Sequence, residues 1–147
     1  MNHYFTDNRH LAQNRKEITF RFSCFTCRFI TDNGVFCKDH VDAGSQLLLE
    51  TIERHGPLGE RVLDLGCGYG AIGIVLKKLY PNSAVTMAEI NPRSLELAQE
   101  NAQRNEVEVR CVHSDVYSGV EGNTFTDIVT NPPIRAGKAV VYGIFET

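Results

Sequence analysis

The sequence predicts an α/β domain in which a parallel sheet carries helices on both faces and is preceded by an N-terminal hairpin. Two observations carry that expectation. From about residue 61 onward, short apolar runs of strand character alternate with segments of helical periodicity, the pattern of parallel strands joined by crossover helices. The first of these strands ends in Asp64 and passes into Gly66, Gly68 and Gly70. Glycine has no Cβ and tolerates positive φ, so the backbone there can lie against a ligand.

Residues 1–16 are polar and read as a flexible arm. Ile18 to Phe22 and Phe29 to Thr31 have the β-branched and aromatic content of strands and predict a short hairpin. Asp32-Asn33-Gly34 is a turn signal, followed by Val35-Phe36-Cys37. Asp42-Ala43-Gly44-Ser45 can cap a helix through Gln46 to Ile52, which His55-Gly56-Pro57 would end with a glycine stop and a following proline. Arg61 to Leu65 is then the first parallel strand, with a helix over about Ile72 to Leu79 and a second strand over Ala84 to Glu89. The next helix opens at Asn91-Pro92, where proline suits the first turn, and keeps Leu95, Leu97, Ala98 and Ala102 on one face. Val107 to Val112 reads as a third strand and Asp127 to Thr130 as a fourth. The run from Gly137 to Thr147 begins what reads as another helix. A sheet of four strands would leave the last as an open edge, which natural sheets protect, so the domain is expected to be truncated after the fourth parallel strand.

At 147 residues and 42% hydrophobic content, the chain suits one globular domain with a substantial core. The sequence holds no run near the roughly 20 apolar residues of a membrane span, and Met1 to Asn14 lacks an apolar signal-peptide core. A cytoplasmic protein with no membrane partner is expected. Its five cysteines, Cys24, Cys27, Cys37, Cys67 and Cys111, are an odd number and read as reduced thiols. Cys24 and Cys27 have metal-like spacing but no second pair to complete four ligands, so no metal is assigned. The net charge of −3 is uneven: residues 1–28 carry +3, which leaves −6 for the rest. Such a body is too acidic to hold nucleic acid by charge alone, since that affinity comes from phosphate neutralisation by Lys and Arg.

The glycine loop admits two readings. Gly68-Tyr69-Gly70-Ala71-Ile72-Gly73 also satisfies the dinucleotide pattern, with Glu89 at about the spacing of a ribose-binding acid. Asp64 discriminates between them. A carboxylate two places before Gly66 would repel a pyrophosphate but attract the ammonium and sulfonium of S-adenosylmethionine, by several kcal/mol only where largely desolvated. Glu89 at the end of the second strand can accept both ribose hydroxyl hydrogens, or it is an ordinary helix-entry acid. Asp115, after the third strand, can accept the adenine amino group or simply cap a turn. The donor side thus comprises Asp64, Gly66, Cys67, Gly68, Gly70, Glu89 and Asp115, with Cys67 a small filler of the loop rather than a nucleophile.

The fourth strand runs into Asn131-Pro132-Pro133-Ile134. Two prolines fix consecutive φ angles and push Asn131 into an extended conformation. An exocyclic base amine is a poor nucleophile because its lone pair is delocalised into the ring. Acceptors that hold its N–H groups position the nitrogen and stabilise the positive charge that develops there. The Asn131 side-chain oxygen and the Pro132 carbonyl are the candidates, and Asn131 also borders the donor.

The order Asp64-x-Gly66-x-Gly68-x-Gly70, then Glu89, Asp115 and Asn131-Pro132-Pro133-Ile134, resembles the class I S-adenosylmethionine-dependent methyltransferases. Within them it resembles the small-subunit (16S) ribosomal RNA guanine-N2 methyltransferases, whose segment before the cofactor loop is similar to Gly34 to Leu49 here. The likeness covers residues 17–147 and implies a Rossmann-like methyltransferase domain, whose seven-stranded sheet would lack its last three strands here. It also implies S-adenosylmethionine as cofactor, ribosomal RNA or the small ribosomal subunit as partner, and the N2 amine of a guanine as target. Adenine N6 or a protein glutamine amide needs the same cradle, and a noncatalytic donor- or RNA-binding fragment is the alternative of another class. Where the family motif has an aromatic residue after Asn-Pro-Pro, this chain has Ile134, which can wall a base but offers no π-stacking.

Overall fold

A computed structural model describes residues 14–32 and 39–131. The hairpin pairs β1 (Lys16–Phe22) with β2 (Phe25–Thr31) in register from Lys16 opposite Thr31 to Phe22 opposite Phe25. The second strand starts four residues earlier than the sequence suggests, because the tight turn at Ser23, with φ 55°, lets pairing begin at once. Strand alternation separates the two cysteines of the metal-like pair: Cys24 is exposed in the turn and Cys27 is buried. Among the described residues no group of three metal-ligating side chains converges. Nor is any of their helices long and apolar enough to cross a membrane.

Helix α1 (Ala43–His55) begins at Asp42, whose side chain accepts the Ser45 N–H, and stops at Gly56 with φ 103°. It leads to β3 (Arg61–Leu65), α2 (Ala71–Leu79), β4 (Ala84–Glu89), α3 (Pro92–Arg104), β5 (Arg110–His113), a 3₁₀ turn at Ser118–Val120, and β6 (Asp127–Thr130). Asn91 caps α3 by accepting from Arg93 and Ser94, with Pro92 at the first helical position. β5 is the one parallel strand whose limits differ from the sequence expectation. Val107 is tied back to the Ala102 carbonyl through a turn with Glu106 at φ 57°, so pairing with β4 begins only at Arg110. The arm expected over 1–16, the turn at Asn33-Gly34 and everything from Pro132 onward fall on or mostly on residues outside those described.

The sheet is parallel throughout, in the order β5-β4-β3-β6. The chain enters at β3, steps outward twice, then returns to the other side of β3. That reversal opens a crevice beyond the carboxyl ends of β3 and β6, where ligands bind in open α/β sheets. Val62, Val85, Met87 and Val129 join Leu49 of α1, Ile74 and Leu76 of α2 and Ala98 of α3 in the main core. Leu63, Leu65 and Ala88 pack with Val120 in a smaller one.

The hairpin docks on this body through two asparagines one helical turn apart. The Asn101 side chain, fully buried, accepts the Ile30 N–H at 2.7 Å and donates to the Ile30 carbonyl at 3.1 Å. Asn105 treats Arg28 in the same way, at 3.0 and 2.9 Å. Residues i and i+4 of a helix thus pair with residues i and i+2 of a strand, and side-chain amides satisfy an edge that backbone would otherwise cover. Asn101 also donates to the Tyr69 carbonyl at 2.9 Å, and Phe29 packs its ring 5.8 Å from that of Tyr69. The hairpin therefore braces the back of the glycine loop.

Candidate active site

Four strand ends build the site. Beyond β3, the N–H groups of Gly66 and Cys67 both donate to the Ala88 carbonyl of β4, at 2.8 and 2.9 Å, which draws the loop across the neighbouring strand. Gly66, Gly68 and Gly70 take φ of 74°, 57° and 102°, all left-handed values that favour glycine. A Cβ built on Gly66 or Gly68 meets no atom within 4 Å. The loop backbone therefore faces open space, the surface on which a flat ligand can lie directly. At Gly70 the same atom would fall 3.1 Å from Ile74, so this glycine serves packing at the start of α2 instead.

Glu89 ends β4 beside that space. Its Oε1 accepts the Gly68 N–H at 2.8 Å and its Oε2 accepts the Asn91 N–H at 3.0 Å. Each oxygen keeps a lone pair for a ligand hydroxyl, while the carboxylate plane is already set by the backbone. Beyond β5, Asp115 is exposed; its N–H donates to Ser118 Oγ at 2.9 Å, and its carbonyl accepts the Ser118 N–H. Its backbone thus makes the turn, and its carboxylate is left to solvent. Ile90 and Val116, each one residue beyond these acids, are large apolar side chains half exposed at the same sheet edge. Nothing in the sequence distinguishes them from core residues.

Asp64 sits deeper than the sequence argument pictures it. It is 1% exposed, and its Oδ2 accepts the Gly73 N–H at 2.9 Å under the first turn of α2. Burial pushes its carboxyl up to about 7, an effect opposed by the Gly73 hydrogen bond and reinforced by the Glu89 charge. The contact requires glycine at 73, because a Cβ there would lie 2.6 Å from Met87 Sδ and 3.0 Å from Asp64 Oδ2. Gly73 is thus the residue that lets α2 sit close on β4. Cys67 is buried, with its thiol pushed well up by burial and by Asp64 and Glu89, so it is no thiolate nucleophile.

At the end of β6, Thr130 Oγ1 donates to the Leu65 carbonyl at 2.9 Å, which ties the strand end to the glycine loop. The next residue is Asn131. Its amide nitrogen donates to Asp42 Oδ2 and to Ser45 Oγ, both at 3.0 Å. The sequence marks Asp42 and Ser45 only as a helix cap, since no local signal points to a residue nearly ninety positions away. Pro132, Pro133 and Ile134 lie outside the described residues. A separate open cleft of about 670 Å³ lies at the amino ends of β3, β4 and β5, far from these groups. Its cations are engaged: Lys77 with the Pro81 and Ser83 carbonyls, Arg61 with the Thr124 carbonyl, and Arg110 with Asn123.

The sequence matches a known family. Residues 26–147 match the model of the methyltransferase small domain. The chain belongs to that family. YbxB of Bacillus subtilis is 41% identical over 146 residues, covering 98% of this chain and 72% of that protein. The ribosomal RNA small subunit methyltransferase C of Haemophilus influenzae is 40% identical over 109 residues, 74% of this chain but 32% of its own length. Among solved structures, the Thermus thermophilus 16S rRNA N2 G1207 methyltransferase in complex with AdoMet and guanosine superposes with a TM-score of 0.76 at 33% identity, over 85% of this chain and 34% of that one. The Pyrococcus abyssi tRNA (uracil-54, C5)-methyltransferase shares the fold, with a TM-score of 0.63 at 24% identity. The chain thus spans about a third of the length of the named ribosomal RNA methyltransferases it matches. Its fold is the Rossmann-like fold of the methyltransferase family, and the donor expected from the sequence agrees with the ligand of the Thermus structure.

Proposed function

We propose that this chain binds S-adenosylmethionine over the glycine loop and transfers its methyl group to the exocyclic N2 amine of a guanine in small-subunit ribosomal RNA. The observation that carries the reading is the placement of Asn131. Its amide stands at the end of β6, the strand hydrogen-bonded to β3, and Thr130 ties it to the last carbonyl before the glycine loop. A target amine held there lies beside a donor lying on Gly66 and Gly68.

When bound, the donor supplies a methyl group on a positively charged sulfur and leaves as a neutral thioether. The chain's own residues do the rest. Glu89 holds the ribose hydroxyls, with its orientation set by the Gly68 and Asn91 N–H groups. Ile90 and Val116 offer apolar surface to the adenine, and Asp115 an acceptor to its amino group. Asn131 Oδ1 accepts an N–H of the target amine and so keeps the nitrogen lone pair turned toward the methyl carbon. As the new N–C bond forms, positive charge grows on nitrogen and strengthens that hydrogen bond, which is a contribution specific to the transition state. No strong base is required, because the proton becomes acidic once the nitrogen is alkylated and passes to solvent water as the neutral methylamine forms. The guanine N2 assignment rests on the kinship with the Haemophilus and Thermus proteins, each of which carries a small-subunit ribosomal RNA activity in its name.

The test is transfer of labelled methyl groups from S-adenosylmethionine to unmethylated small-subunit ribosomal RNA, free and assembled into subunits, followed by nucleoside mass spectrometry. N2-methylguanosine supports the reading. Methylation of adenine N6 or of a protein overturns the target. Donor binding without transfer to any of these marks a noncatalytic module.

A further inference from the structure

We propose that Asp42, Gly44 and Ser45, the first turn of α1, form a seat that sets which way round the Asn131 amide stands and thereby present its oxygen to the target amine. The inference rests on the function proposed above. Two independent observations support it, one of hydrogen-bond polarity and one of space.

The polarity runs one way through the whole cluster. Asp42 Oδ2 accepts from the Ser45 N–H at 3.1 Å and from Asn131 Nδ2 at 3.0 Å, while Asp42 Oδ1 accepts the Ser45 hydroxyl proton at 2.7 Å. With its proton committed to Asp42, Ser45 Oγ has only acceptor capacity left, and it takes the second amide hydrogen of Asn131 at 3.0 Å. An ionised carboxylate only accepts. Reversing the amide would set Asn131 Oδ1 against a carboxylate oxygen and a hydroxyl oxygen, two contacts with no hydrogen between them. The oxygen is therefore left as the group's free acceptor, and the site demands an N–H donor from its target.

The space is made by a missing side chain. A Cβ on Gly44 would lie 3.0 Å from Asn131 Oδ1, 3.2 Å from Asn131 Nδ2 and 3.2 Å from Asp42 Oδ2. Glycine at 44 therefore lets the amide drop onto the helix start, and an alanine would displace it by a few tenths of an ångström. Asp42, Gly44 and Ser45 act through Asn131 and are positioning residues.

Asp42→Asn is the decisive variant, because asparagine caps a helix about as well as aspartate yet sets its NH2 against Ser45 Oγ in place of Oδ1, which frees the serine proton to meet Asn131 in either orientation. Expected for Asp42→Asn and Ser45→Ala is a fall of at least tenfold in kcat for methyl transfer, with donor Kd within twofold of the parent chain. A smaller fall is expected for Gly44→Ala. Combining Asp42→Asn with Asn131→Ala should cost no more than Asn131→Ala alone. If Asn131→Ala is inactive while Asp42→Asn and Ser45→Ala retain full kcat, the seat is refuted and the function stands. If Asn131→Ala is itself fully active, the functional reading fails instead. The side-chain amide resonance of Asn131, assigned by its loss in Asn131→Ala, reads the seat in the free chain. Slowed rotation in the parent and fast rotation in Asp42→Asn support the seat; fast rotation in the parent overturns it.

Discussion

The carboxyl of Asp64 and the backbone N–H of Gly73 meet at 2.9 Å inside the protein, where the sheet and the first turn of α2 come together. An ionisable group therefore lies under the ligand-facing loop, 1% exposed, with Glu89 as an acidic neighbour. Two consequences can be measured.

The first is a pH dependence of stability. The Asp64 carboxyl is raised from 3.8 to about 7 by burial, so the folded state holds a proton that the unfolded chain releases near pH 4. The group's contribution is fully present below pH 4, falls as pH rises, and is gone above about 7. Its size is on the order of 4 kcal/mol from a shift of about three pH units. Urea unfolding at pH 5 and pH 8 should show the free chain weaker at pH 8, and Asp64→Asn should flatten the difference. An unchanged pH profile in that variant would show the carboxyl to be ionised throughout.

A second consequence concerns the donor. A cationic ligand over the loop favours the ionised carboxyl, so binding S-adenosylmethionine between pH 6 and 7.5 should release protons and tighten as pH rises. Calorimetry in two buffers of different ionisation enthalpy measures that release directly. Asp64→Asn should abolish it, and proton release persisting in the variant would assign it to another group.

Gly73→Ala tests the close approach of α2 to the sheet. The added Cβ would meet Met87 Sδ at 2.6 Å, so the helix must lift or Met87 must move. Overpacking of this kind costs about 1–3 kcal/mol, and donor affinity should fall with it because the glycine loop and α2 are continuous. Thermal unfolding and donor titration check both; a variant as stable as the parent would mean that Met87 repacks freely.

Glu89→Gln keeps the size of the side chain but can accept only one of the Gly68 and Asn91 N–H groups, because its NH2 faces the other. Hydrogen bonds to charged groups contribute about 1.5–3 kcal/mol against about 1 for neutral ones. Donor Kd should rise at least tenfold with little change in melting temperature. Equal loss of affinity and stability would instead make Glu89 a structural clamp of the loop.

Asn101→Leu should be among the most destabilising single changes in the chain. It removes acceptor and donors from Ile30 and Tyr69, leaving buried backbone groups unpaired at about 1–3 kcal/mol each. Amide hydrogen exchange should show β1 and β2 opening ahead of the sheet. Uniform loss of protection would mean that hairpin and sheet unfold as one unit.

Much of this architecture is legible in the one-dimensional pattern because it is local. The limits of β3, β4 and β6 follow from apolar runs with clear punctuation, and the start of α3 follows from Asn91-Pro92. The extent of β5 does not, since Val107 and Val109 are apolar enough for a strand but a turn at Glu106 delays their pairing. The sequence by itself determined the α/β class, the glycine loop, the acid after each of the first strands and the Asn-Pro-Pro segment, all of them signals confined to a few neighbouring residues. Only the tertiary structure decided that Asp64 is buried, that Asn101 of α3 and Asn105 at its end complete the hairpin edge, and that the cap of α1 holds Asn131. Each of these depends on groups brought together from distant parts of the chain, where burial and hydrogen-bond partners are set by packing and leave no local mark in the order of the residues.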